Sequence, residues 1–223
     1  MAEITWFGHA SFQVEIAKKI VLIDPWLDGN PMSPVKASEI SKADVVYVTH
    51  DHGDHLGDAF NICKRTNATF VAAVELGDCA EEKGVRNVAG LNIGGSVEIK
   101  GVGLLVTQAL HTCARGAPTG VIIEGEGKTV YHAGDTGLFG DMRLLGELYK
   151  LDVALIPIGG YYTMGAREAA EAVRLLKPKA VIPMHYKTFP VLAQSADEFV
   201  RMVRENMPKV KVVVLKPGES YPF

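Results

Sequence analysis

Cysteine is scarce in this chain of 223 residues: Cys63, Cys79 and Cys113 are odd in number, lie far apart and form no C-x-x-C pair. That excludes a disulfide framework and a thiolate zinc knuckle, and it predicts reduced thiols, with Cys63 and Cys79 as small core residues. Positive charge is not in excess either. Twenty-three Lys and Arg stand against 26 Asp and Glu, a formal net charge of −3, so no basic field advertises nucleic acid, and a small-molecule substrate is expected instead. Also missing is any run of about twenty apolar residues, and the opening Met-Ala-Glu-Ile-Thr-Trp lacks the basic region and apolar run of a signal peptide. Both absences predict a soluble, cytoplasmic protein with no membrane partner. There is no G-x-S-x-G elbow, and Cys113 has no convincing triad, which argues against covalent catalysis. No Ser/Gly-rich linker, charge block or short repeat interrupts the chain, so residues 1–223 are expected to form one domain. The oligomeric state is not encoded in any visible pattern, which leaves a homo-oligomer open.

What is present is a regular alternation of apolar strands and amphipathic helices. Ile4 to Gly8, Ser11 to Ile16 and Ile20 to Asp24 predict hairpin strands. Pro25, Pro31 and Pro34 around Asp28-Gly29-Asn30 then predict a mobile loop carrying Trp26, Leu27 and Met32. Strand Val45 to Thr49, helix Leu56 to Thr66, strand Thr69 to Val74 and helix Glu75 to Lys83 follow. Four further strands are expected over Ser96 to Lys100, Gly103 to Leu110, Thr119 to Glu124 and Lys128 to Ala133. The last third predicts strand Val153 to Ile158, helix Ala166 to Leu176 stopped by Pro178, strand Ala180 to Pro183, and a helix opened by a capping box at Ser195-Ala196-Asp197-Glu198. Two β-rich halves with interleaved helices, whose strands are apolar enough to be covered on both faces, predict an α/β four-layer αββα sandwich.

The densest chemistry is Thr49-His50-Asp51-His52-Gly53-Asp54-His55, directly after the apolar run Val45-Val46-Tyr47-Val48. A helix cap needs one short polar side chain, not four ligand-type groups in six residues. At a strand end, period-2 alternation turns His50 and His52 the same way, so both can grip one ion, while Asp54 and His55 begin the next element. More ligands are expected from later strand ends, where loops converge on one rim. His111, Asp135 and His185 each follow a predicted strand. The resulting expectation is His50, His52 and His111 on one ion, Asp54, His55 and His185 on a second, and Asp135 bridging them. Imidazole with carboxylate favours Zn²⁺, although Mn²⁺, Ni²⁺ or Fe fits the same groups.

In this order, the ligand set resembles the H-x-H-x-D-H motif and the following His, Asp and His of the metallo-β-lactamase superfamily. Gly8-His9-Ala10-Ser11-Phe12, Ile23-Asp24-Pro25, His132-Ala133-Gly134-Asp135-Thr136-Gly137-Leu138-Phe139 and Pro183-Met184-His185-Tyr186 bring it close to the short metal-dependent hydrolases of bacteria and archaea. Asp51 stands where that subfamily commonly has Gly, and Lys187 where it has a small or neutral residue. The resemblance implies the metallo-β-lactamase fold and a hydrolase. Two divalent ions would share a hydroxide that attacks an ester, lactone, amide or phosphoester, with Asp54 orienting it and handling its proton. A di-iron redox enzyme and a nucleic-acid phosphodiesterase on the same fold are the alternatives. Asp24 is a candidate to fix a ligand tautomer. His9 is a candidate to face the ions, and His132, three residues before Asp135, either supports a ligand or points into the opposite layer. The loop residues Trp26, Tyr161, Tyr162, Met164 and Tyr186 are candidates to wall a substrate pocket, and Arg115 or Lys187 could pair an anionic group.

Overall fold

The computed structural model describes residues 2–223. Two seven-stranded sheets organise it. The first runs β14(Ser220–Pro222), β1(Glu3–Gly8), β2(Ser11–Ile16), β3(Lys19–Ile23), β4(Val45–Tyr47), β5(Thr69–Ala73) and β6(Val88–Leu91). The second runs β13(Lys211–Val212), β12(Ala180–Met184), β11(Val153–Pro157), β10(Lys128–His132), β9(Thr119–Gly125), β8(Val102–Gln108) and β7(Ser96–Ile99). Each sheet is antiparallel through its hairpins and becomes parallel from β3 to β6 and from β10 to β13, where every crossover carries an α-helix except the proline-rich loop between β3 and β4.

Strand alternation divides the apolar residues between two layers. Val21, Ile23, Val45, Tyr47 and Val71 pack inward with Val106, Val121, Ile123 and Tyr131 of the other sheet, whereas Leu22, Val46, Val48 and Phe70 pack outward beneath α2(Ala59–Thr66) and α3(Val74–Glu82). On the outer face of the second sheet lie α4(Met142–Tyr149), α5(Ala166–Leu176) and α6(Asp197–Asn206), whose Met142, Val173 and Phe199 are buried. The order is helix, sheet, sheet, helix, as the apolar patterning predicts.

Several local expectations need correction. The helix expected over Leu56 to Thr66 is split into α1(Gly53–Leu56) and α2, because Gly57 turns the chain at φ +40°. A Cβ there would overlap the Cα of Trp26. Strand β4 ends at Tyr47, two residues early. Ser195 does not cap α6: its Oγ accepts the Asp197 N–H at 3.0 Å, and Ala196 precedes the first turn. The proline-rich loop is pinned rather than free, since Asp58 accepts the amides of Leu27 and Asp28, and Asp28 accepts that of Ala37. Strands β6, β13 and β14 and helix α4 were not expected. No helix among the described residues is long and apolar enough to cross a membrane.

Candidate metal centre

All seven proposed ligands sit beyond the ends of strands on one rim. His50 and His52 follow β4 in coil, so their convergence comes from the turn into α1 rather than from strand alternation. His52 caps α1 in an extended conformation (φ −65°, ψ 147°), and its Nδ1 stands 2.9 Å from His50 Nε2. Asp54 and His55 occupy successive helical positions, about 100° apart around the axis. His55 therefore points into the protein and is fully buried, while the Asp54 side chain keeps 25% exposure.

The other three come from the second sheet. His111 lies past β8, on a loop tied to the Asp135 turn by Leu110 N–H to Thr136 Oγ1 (2.9 Å) and Gly137 N–H to Leu110 O (2.9 Å). Asp135 leaves β10 through Gly134, whose φ of +62° and close approach to the Thr119 carbonyl leave no space for a Cβ. His185 follows β12 at φ +56°, held by its N–H to His9 O at 3.0 Å.

The ligand atoms fall into three overlapping groups, each within 4.8 Å: His50, His52 and His111; His9, Asp54, His55 and His185; and His50, His55 and Asp135. Asp135 Oδ2 is 3.3 Å from His55 Nε2, 3.0 Å from His185 Nε2 and 3.7 Å from His111 Nε2. Even so, His55 Nε2, His185 Nε2 and Asp135 Oδ1 are buried without a hydrogen-bond partner. Buried polar atoms are ordinarily satisfied, so lone pairs that crowd together without bonding to one another are the donor set that cations fit.

Electrostatics agree with that fit. Burial works to lower the basicity of His55, but the carboxylates of Asp135 and Asp24 hold it well above the usual imidazole range. Burial also opposes ionisation of Asp135, which His55 and His185 nevertheless keep well below the usual carboxylate range. His50 is pushed down to about 3 and His9 to about 4, chiefly by burial, so both are neutral and His50 can ligate.

The surrounding candidates separate cleanly. Asp24 is fully buried: Oδ1 accepts Thr49 N–H (2.7 Å), and Oδ2 accepts Thr49 Oγ–H (2.7 Å) and His55 Nδ1–H (2.7 Å). Because the Thr49 hydroxyl proton is spent on Asp24, its oxygen accepts His50 Nδ1–H at 3.0 Å. One carboxylate thus holds two histidines by their Nδ1 atoms and turns both Nε2 atoms towards the centre, where a cation would displace the proton that the carboxylates favour on His55. His9 is also fully buried, between Thr188 Oγ1 at Nδ1 (2.8 Å) and Asp54 Oδ2 at Nε2 (3.1 Å). His132 turns away from the centre. Its Nε2–H donates to Ala10 O (3.0 Å) and its Nδ1 accepts Gly134 N–H (3.1 Å), so it shapes the turn that presents Asp135.

Tyr186 does not wall the pocket; it is 2% exposed and stacks on Trp6 with ring centroids 5.5 Å apart. Met164 is likewise core. Tyr161 stands edge-on to Tyr162 at 4.8 Å and faces a neighbouring depression beside Val191, whereas Tyr162 and Trp26 do line the metal cavity.

A sequence model of the β-lactamase superfamily domain matches residues 19–186 of this chain. The chain belongs to the β-lactamase superfamily. Within it, the chain is 52% identical to a UPF0173 metal-dependent hydrolase of Caldivirga maquilingensis over 221 residues, covering 98% of this chain and 97% of the relative. It is 51% identical to the corresponding hydrolase of Methanopyrus kandleri over 227 residues, covering 98% of both. Among solved structures, Igni18, a metallo hydrolase from the archaeon Ignicoccus hospitalis, superposes with a TM-score of 0.92 at 43% identity, covering 100% of this chain and 99% of that one. The superfamily's metal-dependent hydrolases are therefore its near relatives.

Two parts of this superfamily site escaped the sequence reading. Thr49 and Thr188 bond His50 and His9 through their hydroxyls, and a lone threonine carries no pattern that announces this. Asp51 accepts Ala114 N–H at 2.9 Å and lies 3.3 Å from Arg115 Nη1, stapling the His111 loop to the first motif.

Proposed function

We propose that this superfamily member is a metal-dependent hydrolase acting on an ester, lactone, amide or phosphoester of a small molecule at a two-ion centre. The observation that carries the reading is the convergence of His50, His52, His111, Asp54, His55, His185 and Asp135, with Nε2 of His55 and His185 and Oδ1 of Asp135 buried and unbonded. His50, His52 and His111 would hold one ion, Asp54, His55 and His185 the other, and Asp135 lies where it can serve both. Divalent ions held by these residues would supply Lewis acidity, activating water towards hydroxide and stabilising the negative charge that develops on a carbonyl or phosphoryl oxygen.

The protein's own groups do the rest. Asp54 spends Oδ2 on His9, which leaves Oδ1 to orient the attacking water and take its proton. Burial would raise the Asp54 carboxyl, but the His9 hydrogen bond and nearby His55 hold it well below the usual range, so it stays ionised and can accept a hydrogen bond from the attacking water. Since Asp54 only accepts, His9 donates from Nε2 and receives the Thr188 hydroxyl at Nδ1. Imidazole and carboxylate together favour zinc, with availability free to select manganese, nickel or iron.

The test is elemental analysis of protein purified without added metal, followed by a screen across esters, lactones, amides, phosphoesters and thioesters. About two ions per chain with turnover of one class is the expected result. A protein that binds no divalent ion, or binds it without hydrolysing any class, refutes the proposal.

A further inference from the structure

The cavity over the metal centre holds about 630 Å³, room for a drug-sized molecule. Its floor is ionic, with Asp54, Asp135, His52, His111 and His185, but its wall is not. Trp26 and Phe189 stack with centroids 5.9 Å apart, and both stand edge-on to the buried His9 ring, at 5.3 and 5.4 Å. Tyr162 faces the same space.

The wall is built before any substrate arrives. Trp26 is wedged between Gly57, where a Cβ would overlap its backbone, and Gly29, where a Cβ would press on its indole nitrogen. Its loop is fastened through Asp58 to the residues that begin α2. Among the described residues, no lysine or arginine lines the cavity. The two cations nearest in sequence are engaged elsewhere: Arg115 lies 3.3 Å from Asp51, and the Lys187 ammonium sits 5.8 Å from the Tyr186 ring centre.

From this we infer that the substrate is neutral away from its scissile bond and carries an aryl or comparably flat apolar group that lies on the Trp26–Phe189 wall. This rests on the hydrolase reading above and narrows it. A carboxylate or second phosphate remote from the reacting centre would lose its water against these rings with no partner to replace it. A flat apolar group instead gains burial and ring contact. A nucleic-acid strand, with a phosphate on each side of the scissile one, is the substrate class this wall fits least.

The matched pair phenyl acetate and 4-acetoxybenzoate differs by one carboxylate remote from the ester. On the metal-loaded enzyme, kcat/KM for phenyl acetate is expected to exceed that for 4-acetoxybenzoate by about tenfold or more, because an unpaired desolvated charge is rejected at least that strongly. In Trp26→Ala the advantage should shrink to under about threefold, through KM rather than kcat. The cationic ions favour the anion if anything, so a preference for the neutral ester reports the wall.

Independently of turnover, acetanilide is titrated into chelator-treated Trp6→Phe protein, in which Trp26 is the sole indole. Saturable quenching, weakened about fivefold or more by Phe189→Ala, is expected. Equal or faster turnover of 4-acetoxybenzoate, faster turnover of an oligonucleotide whose scissile phosphate is flanked by a phosphate on each side, or absence of quenching overturns the inference. If acetanilide binds as expected but nothing in the screen is hydrolysed, the hydrolase reading falls while the wall stands.

Discussion

Replacing Asp24 by Asn probes how the centre is held, because the two side chains have the same shape and differ in which atoms accept. Asn can keep the Thr49 N–H bond with its carbonyl oxygen, which puts an NH2 where Asp24 Oδ2 now accepts both Thr49 Oγ–H and His55 Nδ1–H. The hydroxyl must rotate, and His55 must give up its Nδ1 proton and carry it on Nε2, the atom 3.3 Å from Asp135 that a cation needs bare. Loss of such a supporting bond costs about 10–100-fold in metal affinity, or roughly 1.4–2.8 kcal/mol. The loss should be lopsided. His50 retains the Thr49 oxygen as acceptor, so the ion on His50, His52 and His111 is held nearly as before, and the ion on Asp54, His55 and His185 weakens. Thr49→Val should do the reverse, since it strands His50 Nδ1 and leaves the Asp24–His55 bond intact. Stepwise competition against a chromophoric zinc chelator reads the two constants separately. Equal weakening of both ions in both variants, or no weakening in Asp24→Asn, refutes this account.

Asp54→Asn should lower kcat by about 10²–10⁴, the span of general acid–base contributions, while at least one ion stays bound; undiminished turnover removes Asp54 from the proton-handling role. Asp135→Ala should reduce the metal content below two ions per chain by elemental analysis, and two tightly held ions would contradict its bridging position. Chelator-treated protein should lose stability on acidification below about pH 6.5, because His50 and His9 stay neutral in the fold down to about 3 and about 4 but take up protons at their model value of 6.5 once unfolded. His111 and His132 are also lowered, mainly by burial, and act in the same direction. Their folded pKa values are depressed, so the unfolded chain binds more protons in this window and stability rises with pH across it. His55, raised in the fold, opposes this near pH 6.5 and fades as the unfolded imidazole protonates towards pH 5, so it offsets only part of what the four lowered histidines contribute. A melting temperature that stays flat from pH 6.5 to 5 would falsify this assignment.

Several features could be read directly because they depend on local order. Strand period and helix period assign Leu22 and Val46 to one face and Val21 and Val45 to the other, and that alone implies layers on both sides of each sheet. The positions of His111, Asp135 and His185 after apolar strands place them at sheet ends, and all three do lie on one rim. Where local signal is weak, the reading failed. Strands β13 and β14 are two and three residues long and exist through edge pairing with β12 and β1. Strand β6 is half-exposed and contains Gly90. Helix α4 has Met142, Leu145 and Tyr149 on one face, but its exposed Leu144 and Leu148 blur the pattern.

The same limit divides the site. Trp26 and Tyr186 are both aromatic residues on loops, and nothing nearby in the chain distinguishes the one that walls the cavity from the one that stacks on Trp6. His9 and Asp54 are 45 residues apart, and His9 and Thr188 are 179 apart. Residue types and their order along the chain, by themselves, determined the layered architecture and which residues are the candidate ligands, since both follow from periodicity and from where strands end. Only the tertiary structure decided which ring nitrogen His9, His50, His55 and His132 commit to their neighbours, which rings face the cavity and which cations are already engaged, because those depend on partners brought together through space by the packing of two sheets.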